Sequence, residues 1–106
     1  MKQKLSHEEI LEKLKTLPNW SLEGNFIAKT FVFKDFSEAF GFLSRVALIS
    51  EKIGHHPDWS GVYKKVTLKL STHDAGGITD LDFLFADKVE GLLAPRRANA
   101  ADCGET

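Results

Sequence analysis

Strand-like and helix-like hydrophobic patterns alternate along this chain, and their order constrains its fold more than any other feature. Val66, Leu68 and Leu70 alternate with polar residues, which is typical of a half-buried antiparallel strand. Another strand is predicted at 59–63, and an earlier pair lies within 20–33. Segments with apolar residues at helical spacing precede, separate and follow these two pairs. Paired strands between helices predict an α+β fold with an antiparallel sheet.

Each predicted helix begins with a capping pair, in which a short polar residue is followed three positions later by a carboxylate. The pairs are Ser6 and Glu9, Asp35 and Glu38, and Thr79 and Asp82. The dipeptide Gly24-Asn25 suits the tight turn of a hairpin. Pro18 and Pro95 are predicted to end the first and third helices. The predicted order of elements is α-β-β-α-β-β-α.

Length, charge and cysteine content limit the class of protein. The 106 residues predict one domain, placed at 1–94, with a flexible polar tail at 95–106. The net charge of -1 disfavours direct binding of nucleic acid, which usually requires a basic excess. The single cysteine, Cys103, excludes an internal disulfide framework. No apolar run approaches the roughly 18 residues of a membrane span, so we expect a cytoplasmic protein, with the nucleus as a second compartment.

The second predicted helix carries more apolar surface than one sheet face can cover. Its inner stripe is predicted to comprise Phe36, Ala39, Phe40, Leu43, Val46, Ala47 and Ser50. Phe42 and Ile49, seven residues apart, are predicted to lie on the outer flank. A helix that is apolar over more than half its girth is buried on two sides. A second subunit is the expected cover of this flank, and the first helix or the tail is the alternative.

Three of the four histidines lie between positions 55 and 73. His55 and His56 are adjacent, so both cannot enter a small core, and His73 follows the last strand. Imidazole exchanges protons near neutral pH, so these residues predict an acid/base site. A zinc site is the alternative, but no H-E-x-x-H pair occurs. Purely structural histidines are the second alternative. The absence of a glycine-rich phosphate loop and of a serine or cysteine nucleophile motif disfavours kinases and acyl transferases.

Four short segments around these histidines form a characteristic pattern. They are Glu51-Lys52-x-x-His55-His56-Pro57-x-Trp59, Tyr63-x-x-Val66, Leu70-Ser71-Thr72-His73-Asp74 and Gly77-Ile78-Thr79-x-x-Asp82. Together they resemble the pterin-4a-carbinolamine dehydratase family, and Phe40-Gly41-Phe42-Leu43-x-Arg45-Val46-Ala47 is similar to it too. The similarity runs from about Leu5 to about Leu93.

The resemblance implies a fold, an assembly and a reaction. The fold is a four-stranded antiparallel sheet packed on one face by three helices, in a homodimer or homotetramer. The reaction removes water from 4a-hydroxytetrahydropterin to give quinonoid dihydropterin. It recycles the tetrahydrobiopterin of aromatic amino-acid hydroxylases and needs no cofactor and no metal. Animal members of the family also bind a homeodomain transcription factor. The alternative function is therefore a non-enzymatic oligomerisation partner or transcriptional coactivator. Neither this function nor the dehydratase implies direct contact with nucleic acid or membrane.

The resemblance also implies site residues, with His55, His56 and His73 as the catalytic histidines. His55 is expected to protonate the leaving hydroxyl, His73 to act as base or relay, and His56 to hold the pterin. The expected substrate-binding set is Glu51, His55, His56, Pro57, Thr72, His73, Asp74 and Ala75. Glu51 lies four residues before His55, on the same face if the helix continues, and is expected to orient it. Asp82 is expected to support His73. Trp59 is a supporting residue, for which packing and ligand stacking both remain open.

Overall fold

The computed structural model of the protein describes residues 3–93. The helices are α1 (His7–Leu14), α2 (Phe36–Ile53) and α3 (Asp80–Leu93), and the strands are β1 (Ser21–Glu23), β2 (Phe26–Val32), β3 (Asp58–Val62) and β4 (Lys65–Leu70). A short 3-10 turn, His73–Ala75, lies between β4 and α3. The predicted tail at 95–106, with Cys103, lies outside the described residues.

The four strands form one antiparallel sheet in the order β1-β2-β4-β3. In this register Phe31 of β2 lies opposite Val66 of β4. Successive side chains of a strand point to opposite faces, so these two residues share the buried face with Leu68. Thr30 and Thr67 lie on the other face, where their hydroxyl oxygens are 2.9 Å apart. The predicted α+β fold and order of elements are confirmed.

One hydrophobic core joins the buried sheet face to all three helices. Its members are Ile10, Leu17, Trp20, Ile27, Phe31, Ala39, Phe42, Val46, Val66, Leu68, Leu70, Ile78, Phe85, Ala86 and Val89. Each buried Val, Leu, Ile or Phe side chain among them stabilises the fold by about 1.5–3 kcal/mol relative to an exposed one. The sheet therefore serves as a platform that presents its ends, and the loops that leave them, at fixed positions.

The predicted capping pairs are present at the helix starts. Ser6 Oγ accepts the Glu9 N–H at 3.1 Å, and Glu9 Oε1 accepts the Ser6 N–H at 2.8 Å. Asp35 accepts the N–H of Glu38 at 2.8 Å. The prediction that α1 extends to Pro18 is wrong, because the helix ends at Leu14. The residues that follow form i→i+3 hydrogen bonds instead, which satisfy the last carbonyls of a helix in a tighter turn.

The orientation predicted for α2 is correct for Ala39, Val46 and Ser50, which are buried, but wrong for its phenylalanines. Phe42, expected on the outer flank, is buried, and its ring centroid lies 4.8 Å from that of Phe31 and 4.9 Å from that of Phe33. Phe36 and Phe40, expected inside, are 56% and 57% exposed. The buried residues of α2 are Ala39, Phe42, Val46 and Ser50. The apolar residues of α2 lie on several sides of the helix. Helical periodicity alone therefore does not show which of them face the sheet.

Apolar side chains remain on the side of α2 that points away from the core. Phe36 and Phe40 lie about one turn apart, and Leu48, about 80° further round the helix from Phe40, is 69% exposed. The rings of Phe36 and Phe40 lie 5.8 Å apart. We refer to these three residues as the outer face of α2. Within residues 3–93, no helix is long and apolar enough to cross a membrane.

Candidate active site

Two chain segments meet at one end of the sheet and carry the candidate site. Asp58 at the start of β3 pairs with Lys69 near the end of β4. Because the strands are antiparallel, the loop that precedes β3 and the turn that follows β4 leave the sheet at the same end. The loop carries His55 and His56, and the turn carries His73. The sheet register thus brings together histidines that are separated in sequence.

Gly54 turns the chain between α2 and the two adjacent histidines. Its φ of 76° lies in the left-handed region, which glycine adopts without a Cβ clash. Its N–H donates to the carbonyl oxygen of Ser50 at 2.9 Å and caps the helix. The chain then places His55 in the interior and His56 at the surface. The two histidines therefore occupy different environments, as their adjacency predicts.

A buried carboxylate holds the ring of His55. Asp82 Oδ1 lies 2.6 Å from His55 Nε2, and Asp82 is 0% exposed. The other oxygen, Oδ2, accepts the hydroxyl of Thr72 at 2.8 Å and the backbone N–H of Thr79 at 2.9 Å. Three polar partners thus surround one carboxyl group, which compensates for the loss of water around a buried polar group. The ring of Phe85 packs against the ring of His55 at an interplanar angle of 71°, with ring centroids 6.1 Å apart.

This contact corrects two expectations. Asp82 supports His55 and not His73, because the first turn of α3 directs the carboxylate towards the end of α2. Glu51 was expected to orient His55, but it is exposed, and among residues 3–93 the side chain that bonds the His55 ring is Asp82. One carboxylate therefore both caps α3, through the Thr79 N–H, and orients the buried histidine.

A polar cleft of about 320 Å³ opens above this pair. It is lined by Gly54, His55, His56, Ser71, Thr72, His73, Asp74 and Leu81. His73 and Asp74 are exposed on the 3-10 turn, which is closed by a bridge between Thr72 and Gly77. The cleft therefore gathers all three predicted catalytic histidines together with Thr72 and Asp74.

A second, more apolar groove of about 480 Å³ adjoins the cleft. Glu51, Pro57 and Trp59 line it with the side of α2, and His56 lines both spaces. Trp59 is 60% exposed, so it is not a core residue, and its side chain is available for ligand stacking. Ala75 lies next to the cleft in sequence but lines neither space.

Known proteins of one family resemble this chain over nearly all of residues 3–93. The family model of pterin 4 alpha carbinolamine dehydratase matches residues 3–92. The chain belongs to the pterin-4a-carbinolamine dehydratase family. A relative from Sulfurisphaera tokodaii, provisionally named pterin-4-alpha-carbinolamine dehydratase, is 52% identical over 90 residues, which are 85% of this chain and 97% of the relative. One from Mesorhizobium japonicum with the same provisional name is 53% identical over 90 residues, covering 83% and 92%.

Solved structures of dehydratase-like proteins share the fold. The crystal structure of a transcriptional coactivator/pterin dehydratase from Brucella melitensis superposes with a TM-score of 0.83 at 39% identity, covering 87% of this chain and 100% of that one. A pterin dehydratase-like protein identified as a RuBisCO assembly factor in the alpha-carboxysome gives a TM-score of 0.59 at 23% identity, covering 73% and 89%. The second likeness shows the fold alone.

The contact between Asp82 and His55 is the feature of this dehydratase-family site that sequence reasoning missed. The capping pattern placed Asp82 beside Thr79, and the family pattern placed it near a histidine. Neither pattern states where the second carboxylate oxygen points. The signal available in the sequence was the glycine pair that lies between Thr72 and Thr79. A turn at this pair reverses the chain, so it can bring Thr79 and Asp82 back to Thr72.

Within residues 3–93, no group of three His, Cys, Asp or Glu side chains is arranged to hold a metal ion.

Proposed function

We propose that the cleft dehydrates 4a-hydroxytetrahydropterin to quinonoid dihydropterin, as a hydro-lyase. One observation carries this proposal: His55, His56 and His73 line a single cleft, and a buried carboxylate holds one of them. A cleft of about 320 Å³ falls within the usual range for small-molecule sites. Membership of the pterin-4a-carbinolamine dehydratase family supports the same substrate class.

The reaction requires one proton donor and one proton acceptor. A proton is added to the hydroxyl oxygen on C4a, and the C4a–O bond breaks to release water. The lone pair of N5 forms the C4a=N5 bond, and the proton on N5 leaves. Every step is a proton transfer or an elimination, so we propose that the protein uses neither a metal nor an organic cofactor. Positioned side chains supply such proton transfers with typical rate gains of about 10²–10⁴-fold.

His55 is the proposed acid. We assign His55 Nε2–H as the donor to Asp82 Oδ1, 2.6 Å away, so the proton that His55 delivers to the leaving group is the one on Nδ1 of the doubly protonated ring. The buried carboxylate also stabilises the orientation of the ring during the transfer. His73 is the proposed base, because its exposed position lets it pass the N5 proton to solvent. His56, which lines both the cleft and the groove, holds the pterin ring.

Tetrahydrobiopterin recycling is the proposed physiological setting. The product of this dehydration is an oxidised pterin, so a reductase reaction must follow it to regenerate the tetrahydropterin. A hydroxylase reaction that leaves a hydroxyl on C4a must precede it. We place this sequence in the cytoplasm.

A dehydration assay tests the proposed function. Freshly generated 4a-hydroxytetrahydropterin is mixed with the purified protein, and formation of quinonoid dihydropterin is followed by absorbance. The uncatalysed reaction is subtracted. We expect the initial rate to rise in proportion to protein concentration. A rate equal to the background at micromolar concentrations of folded protein would remove the proposal.

We also propose that the protein forms a homo-oligomer through the outer face of α2. Contiguous exposed apolar patches on a soluble chain usually mark interfaces, and a symmetric oligomer covers them. Leu48→Asp should therefore weaken self-association in sedimentation at micromolar concentration, while Phe42→Asp should unfold the monomer, because Phe42 is a core residue. A monomeric mass for the unmodified protein at high concentration would contradict the oligomer.

The buried His55–Asp82 pair favours an enzyme over a pure coactivator, because a coactivator does not need such a pair.

A further inference from the structure

We propose that Thr72, with Thr79 behind it, is a positioning residue that fixes the Asp82–His55 pair and is not a substrate-binding residue. The inference concerns the site of the proposed function, and its kinetic part rests on that function. Thr72 and Thr79 are 3% and 0% exposed. Their hydroxyl groups therefore find their partners inside the protein.

The directions of the hydrogen bonds follow from the number of hydrogens available. Thr72 has one hydroxyl hydrogen and donates it to Asp82 Oδ2 at 2.8 Å. The contact of 2.8 Å between the two threonine oxygens must then be donated by Thr79. Thr79 Oγ1 in turn accepts the backbone N–H of Leu81 at 3.2 Å. The result is a directed chain from Thr79 to Thr72 to Asp82, in which every donor is used.

The backbone of Thr72 is occupied as well. Its N–H donates to the Gly77 carbonyl oxygen at 2.8 Å, and its own carbonyl oxygen accepts from Ala75 at 3.1 Å and Gly77 at 3.3 Å. A pterin that enters the cleft therefore meets a Thr72 whose hydrogen-bonding groups are already paired. Thr72 borders the cleft, and its polar atoms face the carboxylate.

The chain of hydroxyls determines the tautomer of His55. Thr72 and the Thr79 N–H supply Oδ2 with two donors, an arrangement that suits the acceptor-only carboxylate form of Asp82. Oδ1 of that carboxylate accepts the hydrogen bond of His55 Nε2–H, 2.6 Å away. In neutral His55 the lone pair consequently lies on Nδ1. Removing the Thr72 hydroxyl would weaken the restraint on this geometry without touching the substrate.

Matched variants at position 72 test the inference. Thr72→Val keeps the shape and removes the donor, and Thr72→Ser keeps the donor. We expect Thr72→Val to lower kcat by about 10–100-fold, the usual effect of losing a hydrogen bond to a charged group, with KM unchanged within about twofold. Thr72→Ser should retain kcat within about threefold. Thr79→Val should have a smaller effect than Thr72→Val, because the Thr72 hydroxyl still reaches Asp82.

Two-bond ¹H–¹⁵N spectra of the histidines provide the readout that does not depend on activity. In the unmodified protein, neutral His55 should be protonated on Nε2. Its ring signals should shift in Thr72→Val and should match those of the unmodified protein in Thr72→Ser.

An Nδ1–H tautomer in the unmodified protein would overturn the inference, as would a Thr72→Val variant with wild-type kcat. A rise in KM alone would show that Thr72 binds substrate instead. If Thr72→Val does not fold, the unmodified spectrum and Thr79→Val still decide the matter. Failure of dehydration by the unmodified protein would count against the proposed function and leave the tautomer test standing.

Discussion

The floor and the mouth of the cleft differ in what holds their side chains in place. The floor consists of His55 and Thr72, which line the cleft, together with Thr79 and Asp82 behind them. All four are buried and joined by hydrogen bonds of 2.6–2.9 Å. At the mouth, His56 and His73 are exposed. Removing a buried partner leaves an unsatisfied polar group, whereas removing an exposed one leaves water in its place. Floor residues should thus serve both stability and chemistry, and mouth residues chemistry alone.

His55→Ala should have the largest combined effect. Loss of the acid should lower kcat by about 10²–10⁴-fold. The buried Asp82 also loses the partner of Oδ1, which should cost about 1–3 kcal/mol of unfolding free energy and lower Tm by at least about 5 °C. Kinetics and thermal melting on the same preparation measure both. A variant that melts like the wild type would show that the floor does not contribute to stability.

His73→Ala should separate chemistry from stability. We expect a fall in kcat of about 10²–10⁴-fold and a Tm within about 2 °C of the wild type, since exposed side chains away from special features contribute little to stability. His7→Ala is the matched control, because His7 is an exposed histidine in α1; both its rate and its Tm should be unchanged. A large drop in Tm for His73→Ala would abolish the distinction between floor and mouth.

His56→Ala should distinguish substrate binding from proton transfer among the mouth residues. Because His56 is proposed to hold the pterin and to transfer no proton, KM should rise by about tenfold while kcat stays within about threefold. Initial rates across a range of substrate concentrations give the two constants. A fall in kcat at unchanged KM would instead assign His56 a role in proton transfer.

Treatment with a chelator should have the smallest effect. Dialysis against a strong chelator should leave the dehydration rate within experimental error, because the proposed chemistry is proton transfer at every step. Metal analysis of the purified protein should find less than one equivalent of zinc. Loss of activity on dialysis, with recovery on adding zinc, would replace the acid/base account of the mouth with a metal site.

Much of the fold follows from local signals in the sequence. Capping pairs such as Ser6 and Glu9 act within a single turn, and the alternation of Val66, Leu68 and Leu70 depends on the geometry of one strand. These patterns located the three α-helices and four strands in residues 3–93 but not the 3-10 turn His73–Ala75. The end of α1 and the sides of α2 on which its phenylalanines lie were predicted incorrectly, because both depend on how a helix packs against the sheet.

The candidate site was predictable as a group of residues but not as a set of contacts. The positions of His55, His56 and His73 in loops at element ends indicated a shared site, and the antiparallel register brings them together. The partner of His55 was assigned to Glu51 from helical spacing. The true partner, Asp82, is distant in sequence and reaches His55 through the first turn of α3. Long-range side-chain pairing of this kind is set by tertiary packing, which a single sequence does not specify.

The dehydration rate of the double variant His55→Ala/His73→Ala tests the central claim most directly. If these two histidines supply the acid and the base, the folded double variant should convert 4a-hydroxytetrahydropterin no faster than the uncatalysed background. Circular dichroism would establish that the variant is folded at the assay temperature. A folded double variant that retains the wild-type rate would contradict the account, because the cleft would then catalyse the reaction without its proposed proton donor and acceptor.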